Sequence, residues 1–222
     1  MSKTPLAVLF VSLLFLNSGD ASLHRSALQV HWHNEIVWAN SSAVQQVYAG
    51  MVNPSGLEFD FRVPFATHEQ QQVRRIEVLI GDRLYVWTPE RTEELKVRRK
   101  GSQWTLEGLR FRGKTASLRI VSSYELAPRS GIVMKLSPPK IDAAEMEISS
   151  TAELELREYR QQGPWVSLRG VTEVREEAHH GGQRVRGWIG HKDPALLLEA
   201  GSGSLPAVEQ SRPWIQQVRP LR

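Results

Sequence analysis

Apolar and polar residues alternate along much of this chain with a period of two, which marks half-buried β-strands. Leu57-Glu58-Phe59-Asp60-Phe61-Arg62-Val63 is the cleanest case. Leu57, Phe59, Phe61 and Val63 are expected to face a core, with Glu58, Asp60 and Arg62 facing outward; Pro64 stops the strand or marks a sheet edge. Ile76, Val78 and Ile80 share a face, and Gly81-Asp82 predicts a hairpin into Leu84–Trp87. From Glu94 to Tyr124 glycines at 101, 108 and 113 separate further alternating segments, with Gly108 placed for a bulge or bend. Leu28–His33, Ala152–Leu156, Trp165–Val174 and Val185–Ile189 add more strands.

One stretch breaks the period. Val44, Val47, Tyr48 and Met51 lie three or four apart, and Ser42 with Gln45 makes a capping-box pattern. These predict a short helix ended by Asn53-Pro54-Ser55-Gly56. The count, roughly ten or more strand segments and one helix, predicts an all-β fold. An exported immunoglobulin-like β-sandwich, or two small β domains, accounts for it best. A lipocalin-type barrel ranks second, and an outer-membrane barrel fits poorly because strand lengths are irregular and aromatic girdles are not evident.

Charge changes sign along the chain. Between Lys96 and Arg119 eight basic residues face one acid, Glu107. Leu109-Arg110-Phe111-Arg112 places the basic residues opposite the apolar ones, so a basic sheet face with a packed underside is expected. Beyond Lys140 acids dominate, from Asp142 to Glu158. Two readings follow: the basic face meets an external anion or acidic partner, or the acidic segment answers it within the fold. Pro138-Pro139 suggests a boundary. An N-terminal β domain at 22–137 would then be followed by a β region at 138–200, separate or continuous with it, and a flexible or docking tail at 201–222.

The first 21 residues read as an export signal. Lys3 supplies positive charge, Leu6–Leu16 an apolar run too short for a comfortable span, and Gly19 and Ala21 small residues for cleavage. The chain of 222 residues has no cysteine, which excludes disulfide staples and thiolate chemistry. Export without disulfides points to the periplasm. No later segment is expected to span a bilayer.

Candidate chemistry is sparse. His31 and His33 share a strand face, and His179, His180 and His191 form a second histidine region. A metal site takes three or four ligands, and nothing in the sequence joins the two regions. No serine elbow, paired metalloprotease histidines, P-loop or dinucleotide motif occurs. Glu153 and Glu155 share a strand face, for which cross-strand charge pairing is the simplest account. Of seven tryptophans, most are expected in cores, and Trp214 is the expected docking contact.

The expectation is therefore a non-enzymatic periplasmic binding or assembly-accessory protein. It would need no cofactor and would engage an envelope, pilus or secretion-system protein through Lys96, Arg98, Lys100, Arg110, Arg112 and Trp214. A module binding carbohydrate or an anionic polymer such as polysaccharide is the alternative, with a metal-dependent or hydrolytic enzyme behind it. Nucleic acid is not an expected partner. A strand-donating accessory protein needs a long exposed edge; a carbohydrate binder needs an exposed aromatic among polar groups in a concave site.

Overall fold

The alternation becomes fifteen strands among the described residues. The computed structural model describes residues 27–39, 42–125, 131–144, 146–158, 165–169, 171–179, 182–189, 194–199 and 217–220. The first eight strands are β1 (Ala27–Ala39), β2 (Ser42–Val52), β3 (Phe59–Ala66), β4 (Gln71–Ile80), β5 (Arg83–Trp87), β6 (Lys96–Lys100), β7 (Gln103–Phe111) and β8 (Thr115–Glu125). The remainder are β9 (Gly131–Lys135), β10 (Glu147–Glu158), β11 (Trp165–Arg169), β12 (Val171–His179), β13 (Gly182–Ile189), β14 (Ala195–Glu199) and β15 (Gln217–Pro220). The fold is all-β. The expected leader at 1–21 and most of the tail, including Trp214, lie outside the described residues.

One eight-stranded sheet, ordered β12-β13-β10-β1-β2-β8-β4-β5, forms the long wall of the molecule. A three-stranded sheet, β3-β7-β6, and a four-stranded sheet, β15-β11-β14-β9, complete the described structure. The first core draws Trp32, Met51, Ile76 and Leu118 from the wall and Phe59, Phe61, Leu106 and Phe111 from the three-stranded sheet. The second draws Ile36, Leu154, Leu156 and Val185 from the wall, and Met134, Leu136 and Leu196 from β9, the residues after it, and β14. Both smaller sheets therefore lie on the same face of the wall. The wall crosses Pro138-Pro139 without interruption, because β10 runs parallel to β1 in register from Ala27↔Glu147 to Trp38↔Glu158.

A polar seam lies between the two cores on that inner face. Gln45 Nε2 donates to Asn34 Oδ1 at 3.2 Å, and the Tyr124 hydroxyl donates to Gln45 Oε1 at 2.6 Å. Gln71 Nε2 donates to the same oxygen at 3.2 Å. Burial pushes the Tyr124 phenol far above its ordinary value, so it remains a donor. The groups satisfy one another, which is what permits amides inside an apolar layer.

The expected helix is a strand. In β2 the buried residues are Ala43, Gln45, Ala49 and Met51, a period of two. Val44 and Tyr48 belong to the opposite face, so the helical spacing arose by merging apolar residues from both faces. β2 is paired along its length with β1 on one side and β8 on the other. Pairing on both edges overrides a weak local helix signal. Leu57 also differs from expectation: it precedes β3 and is 62% exposed.

The hairpins at Gly81-Asp82 and Gly101-Ser102 form as expected. Gly108 adopts φ +70°, and the β3–β7 register shifts beside it. This bulge moves the buried set of β7 from Trp104 and Leu106 to Leu109 and Phe111, keeping the apolar face inward.

Candidate binding cleft

Of the residues expected to form the contact face, Lys96, Arg98 and Lys100 lie on β6, Arg110 on β7 and Arg112 just after it. Lys96 Nζ and Arg98 Nε each lie 3.4 Å from a Glu107 oxygen, and Arg110 Nε lies 3.1 Å from Glu58 Oε2. Arg99 stacks over Trp104 at 5.0 Å. Lys100 and Arg112 are exposed, with no carboxylate within ion-pair distance among the described residues. Two acids, Glu107 on β7 and Glu58 just before β3, thus answer three of these cations. Among the described residues the acidic segment after Lys140 forms no ion pair with them: Asp142 pairs with Arg62 at 2.5 Å, and Glu153 and Glu155 lie on the wall.

The wall's other face carries a different arrangement. Parallel register sets His33 beside Glu153 and Glu35 beside Glu155, while β13 sets Trp188 opposite Glu153 and Arg186 opposite Glu155. His33 Nδ1 lies 2.5 Å from Glu153 Oε1; a carboxylate accepts, so the imidazole nitrogen donates. His33 Nε2 lies 3.5 Å from Glu155 Oε2. His31 Nδ1 bonds the Thr151 hydroxyl at 2.9 Å. The two histidines are thus engaged by β10 residues. Among the described residues no group of three or more candidate ligands could hold a metal. His179 lies in β12 with its side chain undescribed, and His180 and His191 lie outside the described residues.

Glu155 is the electrostatic centre of this face. Its carboxylate receives Arg157 Nε at 2.7 Å and lies 2.8 Å from Arg184 Nε. Burial, the largest single influence, pushes its carboxyl upward, but the Arg157 hydrogen bond and the charges of Arg157, Arg184 and Arg186 together hold it below its ordinary value. Arg157 also reaches Glu35 at 3.1 Å.

Beside this cluster opens a cleft of about 320 Å³ whose lining includes His33, Glu153, Arg175, Arg186 and Trp188. Three local devices shape it. A bulge in β12 shifts the pairing between Thr172 and Arg175. Glu173, within that bulge, is the sole non-glycine residue with positive φ among the described residues, at 53°. This left-handed conformation is uncommon for a non-glycine residue, and such outliers cluster at functional sites. Gly187 permits β12 to press against β13: a Cβ there would meet Val171 Cγ1 at 2.4 Å and the Thr172 carbonyl oxygen at 3.1 Å. Gly187→Ala is therefore expected to cost about 1–3 kcal/mol by overpacking and to raise amide exchange in β12. Thermal unfolding and hydrogen exchange check both effects; unchanged values would contradict the close approach.

Trp188 is 42% exposed, whereas Trp32, Trp87 and Trp104 are core residues. Its ring meets the edge of His31, with centroids 6.3 Å apart at 70°. Trp188, rather than the expected Trp214, is the exposed tryptophan among the described residues. The signal was present: Arg186-Gly187-Trp188 alternates charged, small and aromatic residues, so an exposed ring beside an exposed charge follows from period two. Missing was the β1–β10 pairing that brings His31 and His33 to the same face.

No family model matches the chain, and no curated protein matches its sequence.

Proposed function

We propose that this chain is an exported, non-catalytic binding protein of the periplasm, and that it holds an envelope component against the uncovered face of its eight-stranded sheet. The carrying observation is the cleft in which exposed Trp188 stands among charged side chains. A concave site with an aromatic platform and convergent polar groups is the usual form of a ligand site. Within this reading the polymer-binding alternative is favoured over strand donation. The edge strands β5 and β6 each have five residues and β6 is heavily charged, while the longer edge of the wall, nine-residue β12, is interrupted by the bulge between Thr172 and Arg175. Short charged edges and bulged ones are built to refuse added strands.

The histidine geometry favours binding over catalysis. A general base directs one ring nitrogen to a carboxylate and keeps the other for its substrate. Both His33 nitrogens face carboxylates, Glu153 and Glu155. As to architecture, we infer a sandwich built on the shared wall, within the immunoglobulin-like class only in that broad sense, since β8 inserts between β2 and β4.

Co-sedimentation with isolated cell envelopes tests the proposal. The unaltered protein is expected to sediment with them, Trp188→Ala to lose at least about tenfold in affinity, as anchor truncations do, and combined Lys96→Gln, Arg98→Gln and Arg110→Gln to bind nearly as before. Retention by Trp188→Ala with loss in the basic-sheet variant would overturn the assignment of the surface.

A further inference from the structure

We propose that the cleft beside Trp188 recognises an acidic saccharide, a pyranose ring bearing a carboxylate; this rests on the reading of that cleft as the binding site. The cations carry the first part. Arg175 on β12 stands directly opposite Arg186 on β13, and both side chains are exposed. Like charges directly opposed across a ladder destabilise it. Among the described residues the pair lacks an ion-pair partner within 4.0 Å, although Glu155 is near enough for the Arg186 charge to lower its pKa. Two of the three acids lining the cleft are engaged elsewhere: Glu153 accepts from His33, and Glu155 is held by Arg157 and Arg184, while the third, Glu173, is exposed in the bulge and lies beyond ion-pair distance of either arginine. Two adjacent guanidiniums are left facing the opening. Guanidinium forks match a carboxylate in planar, bidentate fashion, and a bound anion removes their mutual repulsion.

Trp188 carries the second part. Its indole is large, partly exposed and braced edge-on by His31. An aromatic face of this kind covers a flat apolar surface while neighbouring polar groups bind the rim. The apolar C–H face of a pyranose meets that requirement. A small inorganic anion would satisfy the arginines and leave the indole wet. A neutral sugar would cover the indole and leave the arginines opposed. The cleft volume of about 320 Å³ sits at the small end of ligand sites, roughly 300–1,000 Å³, which suits a ring-sized group with the rest of a polymer outside. His33 and Glu153, hydrogen-bonded to each other at 2.5 Å, line the same cleft and offer polar atoms to ring hydroxyls.

The test is calorimetric titration of the whole protein with trigalacturonate, with the neutral trigalactoside, and with inorganic phosphate. Binding of the uronate at least about tenfold tighter than of either other probe is expected, and Arg175→Gln or Arg186→Gln should lower it about tenfold or more, in the range of a lost charge-assisted bond. Thermal unfolding of Arg175→Gln should be unchanged or raised, because an opposed pair is relieved, whereas Arg186→Gln also removes a charge that favours the Glu155 carboxylate. Equal binding of the neutral and acidic trisaccharides would overturn the role of the arginines. Phosphate binding as tight as uronate would reduce the site to a simple anion site and overturn the role of Trp188. Absence of saccharide binding, with envelope sedimentation still dependent on Trp188, would sink this inference and leave the binding surface standing; loss of that dependence would sink both.

Discussion

Phe111→Ala is expected to lower the unfolding free energy by about 3–5 kcal/mol, the range for truncating a buried phenylalanine. Phe111 is fully buried, lies opposite Phe59 in the β3–β7 register, and stacks on that ring with centroids 5.1 Å apart; Phe61 adds a tilted contact at 6.0 Å. Loss of the ring removes apolar burial and leaves a cavity that the Gly108 bulge and the β3 pairing hold open. The bulge fixes where Phe111 enters the core, so the neighbours cannot slide to fill the space without breaking the register. Phe111→Leu keeps most of the volume and should cost less. Urea unfolding followed by fluorescence and by far-ultraviolet circular dichroism checks this. Because both cores share the eight-stranded wall, the two signals should shift together. A shift below about 1 kcal/mol, typical of surface changes, would contradict the packing described.

Glu155→Ala is expected to be of similar size, about 3–5 kcal/mol near neutral pH, as when one member of a buried ion cluster is removed. Its side chain is 7% exposed, with Arg184 at 18% and Arg157 at 28%, so solvent screens the cluster only in part. Removing the carboxylate leaves these guanidiniums with less compensation, while Glu35 still answers Arg157 at 3.1 Å. The pH dependence gives a sharper check. The folded carboxyl titrates below its ordinary value of 4.5. Its contribution to stability is therefore full above that value and is lost as pH falls through the folded pKa. The difference between the unaltered protein and Glu155→Ala should be largest above about pH 5 and shrink in acid. A difference that stayed constant from neutral to strongly acidic pH would show that the charge is not responsible.

Much of the all-β architecture was legible because period two is a direct readout of burial. Phe59, Phe61 and Val63 are buried as their alternation requires, and the hairpins at Gly81 and Gly101 are local chemistry. The helix expectation failed at β2 because apolar residues occupy both faces of a central strand. Tyr48 packs near His33 and under Arg119 on the outer face, while Ala49 and Met51 enter the core. Such a strand has no clean period, and only its partners decide the outcome.

The cleft was hidden for a related reason. His31 and His33 were seen to share a face, as were Glu153 and Glu155, but 120 residues separate His33 from Glu153. A parallel pairing at that separation has no local signature. The basic residues were conspicuous as a run, yet Glu107 answers Lys96 and Arg98, and Glu58 answers Arg110. Arg175 and Arg186 gave no such run, and only the β12–β13 register sets them opposite each other.

Photo-cross-linking in intact envelopes tests the central claim most directly. A benzophenone side chain placed at Thr172, exposed on β12 and opposite Trp188, samples the cleft rim; the same group at Lys96 samples the basic sheet. Illumination should give adducts to envelope material from position 172, suppressed by added trigalacturonate, with few from position 96. Adducts from position 96 alone would contradict the account and return the binding surface to β6 and β7.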